Sequence, residues 1–179
     1  MLAPPPTPLI NQLSAPSGIG PAKDFEGTLI AWNFGGNSGV NAWGLSTSEK
    51  HGGAAALASS PGASYLPSTD TWAETAVDLR NTEWPVLTFW DRYGLNTGDW
   101  MRLEIFATGG PTIYTYGTYE GSRSDWRQQR VDLSPWKGLG NVKLRFRLAS
   151  DGAVTPGEGW FIDDVNVAEN PNRNNPVSL

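Results

Sequence analysis

The segment GEGWFIDDVNV, residues 157–167, combines the pattern of a β-strand with two adjacent carboxylates, Asp163 and Asp164. Aspartate is disfavoured in strands, and a buried aspartate is costly unless a cation or hydrogen-bond donors compensate its charge. Strict alternation places Asp163 on the face of Phe161 and Val165, toward the core, and Asp164 on the opposite face. The segment therefore predicts a carboxylate that binds a cation or several donors at the margin of a sheet.

Aromatic and basic side chains alternate outward along three other strand-like segments and could bind a ligand. Tryptophan stacks on sugar rings, and arginine hydrogen-bonds hydroxyl or acidic groups. If the three segments lie side by side, these residues form one exposed ligand-binding face. The alternative is that arginine–tryptophan stacking merely covers the sheet. The candidate residues are Trp90, Arg92, Trp100, Arg102, Glu104, Arg145 and Arg147.

The residue types that catalysis needs are scarce. The chain has one histidine, His51, in a glycine-rich turn, and no cysteine. This composition excludes disulfides, thiol catalysis and zinc sites built from cysteines or from two histidines. Neither a Gly-x-Ser-x-Gly motif nor a phosphate-binding loop motif is present. We therefore expect no enzyme activity and interpret His51 as a polar residue of a turn.

Charge and hydropathy exclude two classes of partner. The formal net charge of −5 argues against nucleic-acid binding. No segment approaches the roughly 20 consecutive apolar residues of a membrane-spanning helix, so we expect no membrane insertion. The N-terminal sequence MLAPPPTPLINQL lacks the basic start and the long apolar run of a secretory signal.

Proline content divides the chain into three parts. Residues 1–22 contain six of the 14 prolines and are predicted to form an extended linker or arm. Such an arm could alternatively add to the sheet edge of a neighbouring molecule. Residues 23–169 form the predicted folded domain, and residues 170–179 form a polar tail.

Short alternating segments separated by turns predict an all-β domain. The clearest segment is NVKLRFRLAS, residues 141–150, in which apolar residues alternate strictly with lysine and arginine. Such strands at this spacing predict a two-sheet antiparallel β-sandwich. The predicted strands are 28–34, 54–59, 73–79, 85–95, 100–107, 112–119, 126–133, 141–150 and 160–167.

Residues 125–167, DWRQQRVDLSPWKGLGNVKLRFRLASDGAVTPGEGWFIDDVNV, closely resemble the closing half of a jelly-roll module of secreted bacterial proteins. This module occurs C-terminal to metalloproteases of the immune inhibitor A type and in bacillopeptidase-like subtilases, and it is akin to the MAM domain of animal cell-surface proteins. The segments DFEG (24–27), AWGLSTSEKHGGAAAL (42–57) and LTFWDRYGL (87–95) extend the resemblance, although Gly52 replaces a serine of the family's turn. The resemblance implies a jelly-roll β-sandwich, an extracellular or cell-surface location, and no enzyme activity of its own.

The resemblance also implies a structural calcium ion. In related jelly-roll carbohydrate-binding modules, calcium ties the first strand to the last through a glutamate, a loop carbonyl and an aspartate. In this chain the corresponding positions are Glu26, the turn that begins at Lys50, and Asp163. Asp164 is a second candidate, and it would form an ion pair with the basic strand 141–150 if the two strands are neighbours. The alternative without a metal is that both aspartates accept backbone N–H groups and pair with arginine.

Taken together, the residues and the resemblance predict a non-catalytic extracellular accessory module for attachment or for surface or substrate binding. One alternative is a carbohydrate-binding module. Another is a self-assembling surface or filament subunit that contacts its neighbour through residues 1–22. The expected partners are a glycan or a protein surface.

Overall fold

A computed structural model describes residues 24–37, 42–110, 114–119, 121–153 and 157–170. The predicted arm at residues 1–22 and all but the first residue of the predicted tail lie outside these described residues. Neither the predicted linker nor the alternative, an arm that contacts a neighbouring molecule, is therefore tested by the structure.

The described residues form ten β-strands and one short 3-10 turn, Ser134–Trp136. The predicted strand at 28–34 begins later, at Asn33, because Ala31 has a φ of 70° and interrupts the extended chain. The three-residue strand β2 was not predicted. In chain order the strands are β1 (Asn33–Gly36), β2 (Gly44–Ser46), β3 (Ala56–Ala58), β4 (Asp70–Val77), β5 (Pro85–Gly94), β6 (Trp100–Phe106), β7 (Tyr114–Tyr119), β8 (Ser122–Asp132), β9 (Val142–Ala149) and β10 (Gly159–Glu169).

The strands pair into two five-stranded antiparallel sheets. Sheet I has the order β1-β4-β9-β6-β7, and sheet II has the order β2-β3-β10-β5-β8. From β4 onward the chain crosses from one sheet to the other at each step, except at the β6–β7 hairpin. This crossing pattern confirms the predicted jelly-roll β-sandwich.

The inner faces of the two sheets enclose one apolar core. Alternation in β9 is as predicted, since Val142, Leu144, Phe146 and Leu148 are fully buried. The ring of Phe146 lies 5.2 Å from that of Phe89 and 5.3 Å from that of Trp160, measured between centroids, so it joins the two sheets. The outward residues of the same strands are thereby fixed on the two outer surfaces.

Strand β10 changes its alternation at Asp164, and this overturns one prediction. Trp160 and Ile162 pack into the core, and so does Val165, three residues further on. The pairing of β10 with β5 shifts register after Asp163, and Asp164 adopts a φ of 49°. This β-bulge inserts one residue and resets the phase of the strand. Asp163 therefore lies on the outer face of sheet II, not on the core side.

Candidate functional site

The sheet topology separates the predicted ligand-binding residues into two groups. Trp90 and Arg92 lie on β5 in sheet II, whereas β6 and β9 lie next to each other in sheet I. The prediction of one continuous face is therefore wrong, because the core lies between the two groups. The group on the outer face of sheet I is Trp100, Arg102, Glu104, Arg145 and Arg147.

The arginines on sheet I stack against aromatic rings. The Arg145 guanidinium carbon lies 4.5 Å from the centroid of the Trp72 ring and 4.8 Å from that of the Phe106 ring. Arg102 lies 4.3 Å from the centroid of the Trp100 ring, and Arg147 lies 5.5 Å from it. These contacts are within the range of cation–π attraction, and they hold the guanidinium planes in fixed orientations.

Three carboxylates pair with these arginines. Nε and Nη2 of Arg145 donate to Glu74 at 2.9 and 2.6 Å. Nε of Arg102 donates to Glu104 at 2.7 Å, and Nη1 of Arg147 donates to the same Oε1 at 3.2 Å. Arg147 also donates from Nε and Nη2 to Asp70, at 2.7 and 2.5 Å. These two bonds hold the pKa of the Asp70 carboxyl below its ordinary value. Each bond is charge-assisted, so the network is pre-organised before any ligand arrives.

We call this surface the arginine face. Trp72, Glu74 and Asp70 belong to it, although they were not among the predicted ligand-binding residues. Their signal was present in the sequence, because they occupy alternate positions in DTWAE, but the predicted strand began at residue 73. The arginine face consists of Asp70, Trp72, Glu74, Trp100, Arg102, Glu104, Phe106, Lys143, Arg145 and Arg147.

On the outer face of sheet II, Trp90 lies beneath the turn that contains His51. His51 stacks on Trp90 with ring centroids 3.9 Å apart and an angle of 13° between the planes. Trp126 packs edge-on against the same histidine, at 5.9 Å. One face of Trp90 is therefore covered, which leaves less ring surface for a ligand than the sequence suggested.

Arg92, on the same sheet, is held by two ion pairs. Its side chain is only 12% exposed, and it pairs with Glu49 and, at 2.6 Å, with Glu158. The guanidinium also lies 5.3 Å from the ring of Phe161. Arg92 forms one wall of a cleft of about 220 Å³ at the end of β5, where β8 loses register with β5. The other polar side chains that line the cleft are Tyr93, Asn96, Ser122, Ser124 and Glu158.

The turn at residues 50–54 brings together the two carboxylates proposed as calcium ligands. Oδ2 of Asp163 accepts the backbone N–H groups of His51 and Gly52 at 2.9 and 3.2 Å. Both carboxylate oxygens of Glu26 accept the N–H of Ala54, at 2.9 and 2.7 Å. Residues 28 and 111 positions away from the turn thus converge on it.

Burial raises the pKa of the Asp163 carboxyl, which is only 1% exposed. Its Oδ1 accepts the N–H of Asp164 at 2.8 Å, so backbone donors compensate part of the cost of burial. This arrangement resembles the metal-free alternative for Asp163, although no arginine pairs with it among the bonds described.

Asp164 has a different partner from the one predicted. Strand β9 lies in the opposite sheet, so an ion pair between Asp164 and that basic strand is excluded. Its Oδ2 instead lies 2.8 Å from Nδ1 of His51. The bulge explains the change, because the left-handed backbone at Asp164 turns its side chain toward the turn that covers Asp163.

The donors at this turn fit calcium in chemical type. Two carboxylates from distant segments meet at a glycine-rich turn whose backbone carries carbonyl groups, and calcium prefers such hard oxygen ligands. The side chain of Lys50 donates to the Thr47 carbonyl at 2.9 Å, so only the backbone carbonyl of Lys50 is a candidate ligand. Within the described residues, no cluster of three or more histidine, aspartate or glutamate side chains could hold a metal.

The chain is similar to known proteins in its fold and, over a short segment, in its sequence. No family model matches the chain. A segment of 71 residues is 42% identical to bacillopeptidase F of Bacillus subtilis (strain 168), and the match covers 40% of this chain but only 5% of that protein. The chain therefore spans a small fraction of the length of this relative.

Three solved structures share the fold. A family 61 carbohydrate-binding module in complex with β-1,4-galactotriose is 16% identical, with a TM-score of 0.56, and the match covers 79% of this chain and 90% of that one. A family 22 xylan-binding domain from Paenibacillus barcinonensis is 14% identical, with a TM-score of 0.54 and coverage of 87% and 97%. The K1 cleaved adhesin domain of Lys-gingipain from Porphyromonas gingivalis W83 is 18% identical, with a TM-score of 0.52 and coverage of 83% and 97%.

The fold is thus a jelly roll also found in carbohydrate-binding modules and in adhesin domains. The kinship to the MAM domain remains a prediction. Among the described residues, none belongs to a helix with the length and apolarity that a membrane crossing requires.

Proposed function

We propose that this chain is a non-catalytic extracellular module that binds a glycan on its arginine face. The observation that carries the proposal is the pre-organised set of Arg102, Arg145 and Arg147, each held between aromatic rings and carboxylates. Pre-organised donors bind hydroxyl and carboxylate groups without a large loss of side-chain entropy.

The fold and the sequence comparison support this proposal. Two solved structures of the same fold are a module in complex with β-1,4-galactotriose and a xylan-binding domain. The similarity to a segment of bacillopeptidase F agrees with the resemblance to modules of secreted proteins and supports an extracellular location. A non-enzymatic role is part of the proposal, because the solved structures of the same fold are binding modules and adhesin domains.

We also propose that calcium stabilises the turn at residues 50–54. Glu26, Asp163 and the backbone carbonyl of Lys50 would hold the ion. Its charge would offset the two carboxylates that the turn otherwise satisfies with backbone N–H groups. Its role is structural, since the turn lies on sheet II and the arginine face lies on sheet I.

Titration calorimetry with β-1,4-galactotriose, xylohexaose and trigalacturonate tests the proposed function. Arg145→Lys combined with Arg147→Lys keeps both charges but removes the planar, stacked hydrogen-bonding groups. We expect this variant to weaken binding of the tightest of the three sugars about tenfold or more, a loss of about 1.4 kcal/mol.

The matched control is Arg127→Lys, because Arg127 is an exposed, ion-paired arginine on the outer strand of sheet II. It should bind as the wild type does. Thermal melting of all three proteins verifies that the variants are folded. If the folded double variant binds as tightly as the wild type, or if none of the three sugars binds, the proposed function is wrong.

A further inference from the structure

Two of the three carboxylates of the arginine face lie beneath its cationic groups. The carboxylate side chains of Glu104 and Glu74 are 2% and 9% exposed, so they lie against the sheet. The side chains of Arg102, Arg145 and Arg147 are 29%, 25% and 27% exposed and reach further into solvent. A ligand that approaches this face therefore meets the three guanidinium groups before it meets Glu74 or Glu104, whereas Asp70, at 33%, is as exposed as the arginines.

The total charge of the face agrees with this layering. Lys143 adds a fourth cation, 3.2 Å from Glu74 and 25% exposed. The described face has four cations and three carboxylates, a formal charge of +1, in a chain whose net charge is −5. The arginine face is thus a local reversal of the charge of the molecule, and it would attract anions over about a Debye length.

The aromatic rings contribute less to direct ligand contact than their number suggests. Arg145 occupies a face of Trp72 and of Phe106, and Arg102 and Arg147 lie over Trp100. A sugar ring that stacked on these faces would have to displace a guanidinium. Recognition by charge and hydrogen bonds is therefore favoured over recognition by ring stacking.

From these observations we infer that the glycan bound by the arginine face is anionic, a polysaccharide whose sugars carry carboxylate groups. The inference rests on the proposed function and specifies its ligand class. Guanidinium groups bind carboxylates through charge-assisted and frequently bidentate hydrogen bonds, which a neutral hydroxyl cannot match.

One residue of the face opposes such a ligand. Asp70 is the most exposed of the three carboxylates, at 33%, and it occupies two nitrogens of Arg147. A ligand carboxylate would compete with Asp70 for this guanidinium. Removal of the charge at this position should therefore strengthen binding, an effect that a purely structural network would not produce.

The first experiment compares trigalacturonate with its fully methyl-esterified form, which has the same sugar chain without charge. At low salt we expect the acid to bind about tenfold more tightly than the ester, and we expect added sodium chloride to reduce this preference. Equal affinity for acid and ester would overturn the inference but leave the proposed function intact. If neither form binds and both neutral sugars also fail to bind, the proposed function fails as well.

The second experiment uses a pair of matched substitutions, Asp70→Asn and Asp125→Asn. Both remove the acid of an aspartate–arginine pair, but Asp125 pairs with Arg127 on sheet II. We expect Asp70→Asn to bind trigalacturonate about two- to fivefold more tightly, a change that corresponds to the free energy of an exposed ion pair. Asp125→Asn should bind as the wild type does, and a similar gain in both variants would overturn the inference.

Poly-glutamate provides the third comparison, since it carries carboxylates on a peptide. We expect it to displace trigalacturonate only at concentrations well above those of the sugar acid. If poly-glutamate binds as tightly per carboxylate, the occupant is an acidic peptide, and the assignment to a polysaccharide is overturned.

Discussion

Gly52 and Gly53 are adjacent residues of the turn that covers Asp163, but they differ in what a side chain would meet. Gly53 has a φ of 55°, and a Cβ added there would overlap the carboxylate of Glu26. A Cβ added at Gly52 meets nothing within 4 Å. Glycine is therefore favoured at position 53 by the left-handed backbone, and a Cβ there would displace the exposed Glu26 carboxylate from the turn.

Substitution of these two glycines by alanine should destabilise the protein to different extents. Gly53→Ala should lower the free energy of unfolding by about 1–3 kcal/mol, because it combines a left-handed alanine with displacement of the Glu26 carboxylate from the Ala54 N–H. Gly52→Ala should change it by less than about 1 kcal/mol. Urea unfolding of both variants measures the difference, and equal effects would contradict the geometry of the turn.

The proposed calcium ion should make thermal stability depend on calcium. If calcium binds at the turn, EDTA should lower the melting temperature and added calcium should restore it. Calcium at a hundredfold excess over Kd should add about 2.7 kcal/mol to the free energy of unfolding. Asp163→Ala should abolish the calcium response, whereas Asp164→Ala should largely retain it, because Asp164 pairs with His51. A melting temperature that EDTA does not change in metal-free buffer would contradict the proposal.

Asp70 makes stability depend on pH. Its ion pair with Arg147 holds the folded pKa of Asp70 below the ordinary value of 3.8. The pair therefore adds stability above the unfolded pKa, and this stability is lost as pH falls toward the folded pKa. Between about pH 5 and about pH 2, Asp70→Asn should lose less unfolding free energy than the wild type does. A steeper loss in the variant, measured by urea unfolding at each pH, would contradict this sign.

The residue types at the candidate sites were predictable, but their partners were not. Asp163 was singled out because a carboxylate in a strand needs compensation, and Glu26 because of the family resemblance; both contact the turn at residues 50–54. The pairing of Asp164 with His51 could not be predicted, because it depends on a bulge that alternation does not reveal.

At the scale of the element, Asp91 joins three strands of sheet II. This fully buried carboxylate on β5 accepts hydrogen bonds from Arg123 and, at 2.9 Å, from Gln129, both on β8. It also accepts the indole N–H of Trp160 on β10 at 3.0 Å. The paired carboxylate thus fixes the edge strand β8 and the closing strand β10 to the strand between them.

Removal of this carboxylate should be strongly destabilising. Asp91→Ala leaves a mostly buried Arg123 without its charge partner and should cost about 3–5 kcal/mol of unfolding free energy. Asp125→Ala removes an exposed partner of Arg127 within β8 and should cost less than about 1 kcal/mol. Chemical denaturation compares the two, and a small loss for Asp91→Ala would show that the network does not fix the strands.

Strand positions were largely predictable because the domain buries one face of each sheet. In β9 the buried residues alternate with Lys143, Arg145 and Arg147, and the sequence alone indicates which side faces the core. The sheet to which a strand belongs carries no such signal. For that reason Trp90 and Arg92 were grouped with residues from which the core of the sandwich separates them.

The sandwich places the two proposed sites on opposite outer surfaces. Sheet II carries the turn that covers Asp163 and the pairs that fix Arg92, and sheet I carries the arginine face. The crossing topology therefore separates the proposed calcium ligands from the proposed glycan-binding surface. A substitution in the turn at residues 50–54 should therefore change the free energy of unfolding more than it changes ligand affinity.

The central claim is that the arginine face binds an anionic glycan, and NMR of the arginine Nε–H groups tests it most directly. During titration with trigalacturonate, the signals of Arg102, Arg145 and Arg147 should shift in a saturable manner. The signals of Arg92 and Arg123, on sheet II, should remain in place. Saturable shifts confined to the sheet II arginines, or no shift at trigalacturonate concentrations that saturate the calorimetric signal, would contradict the account.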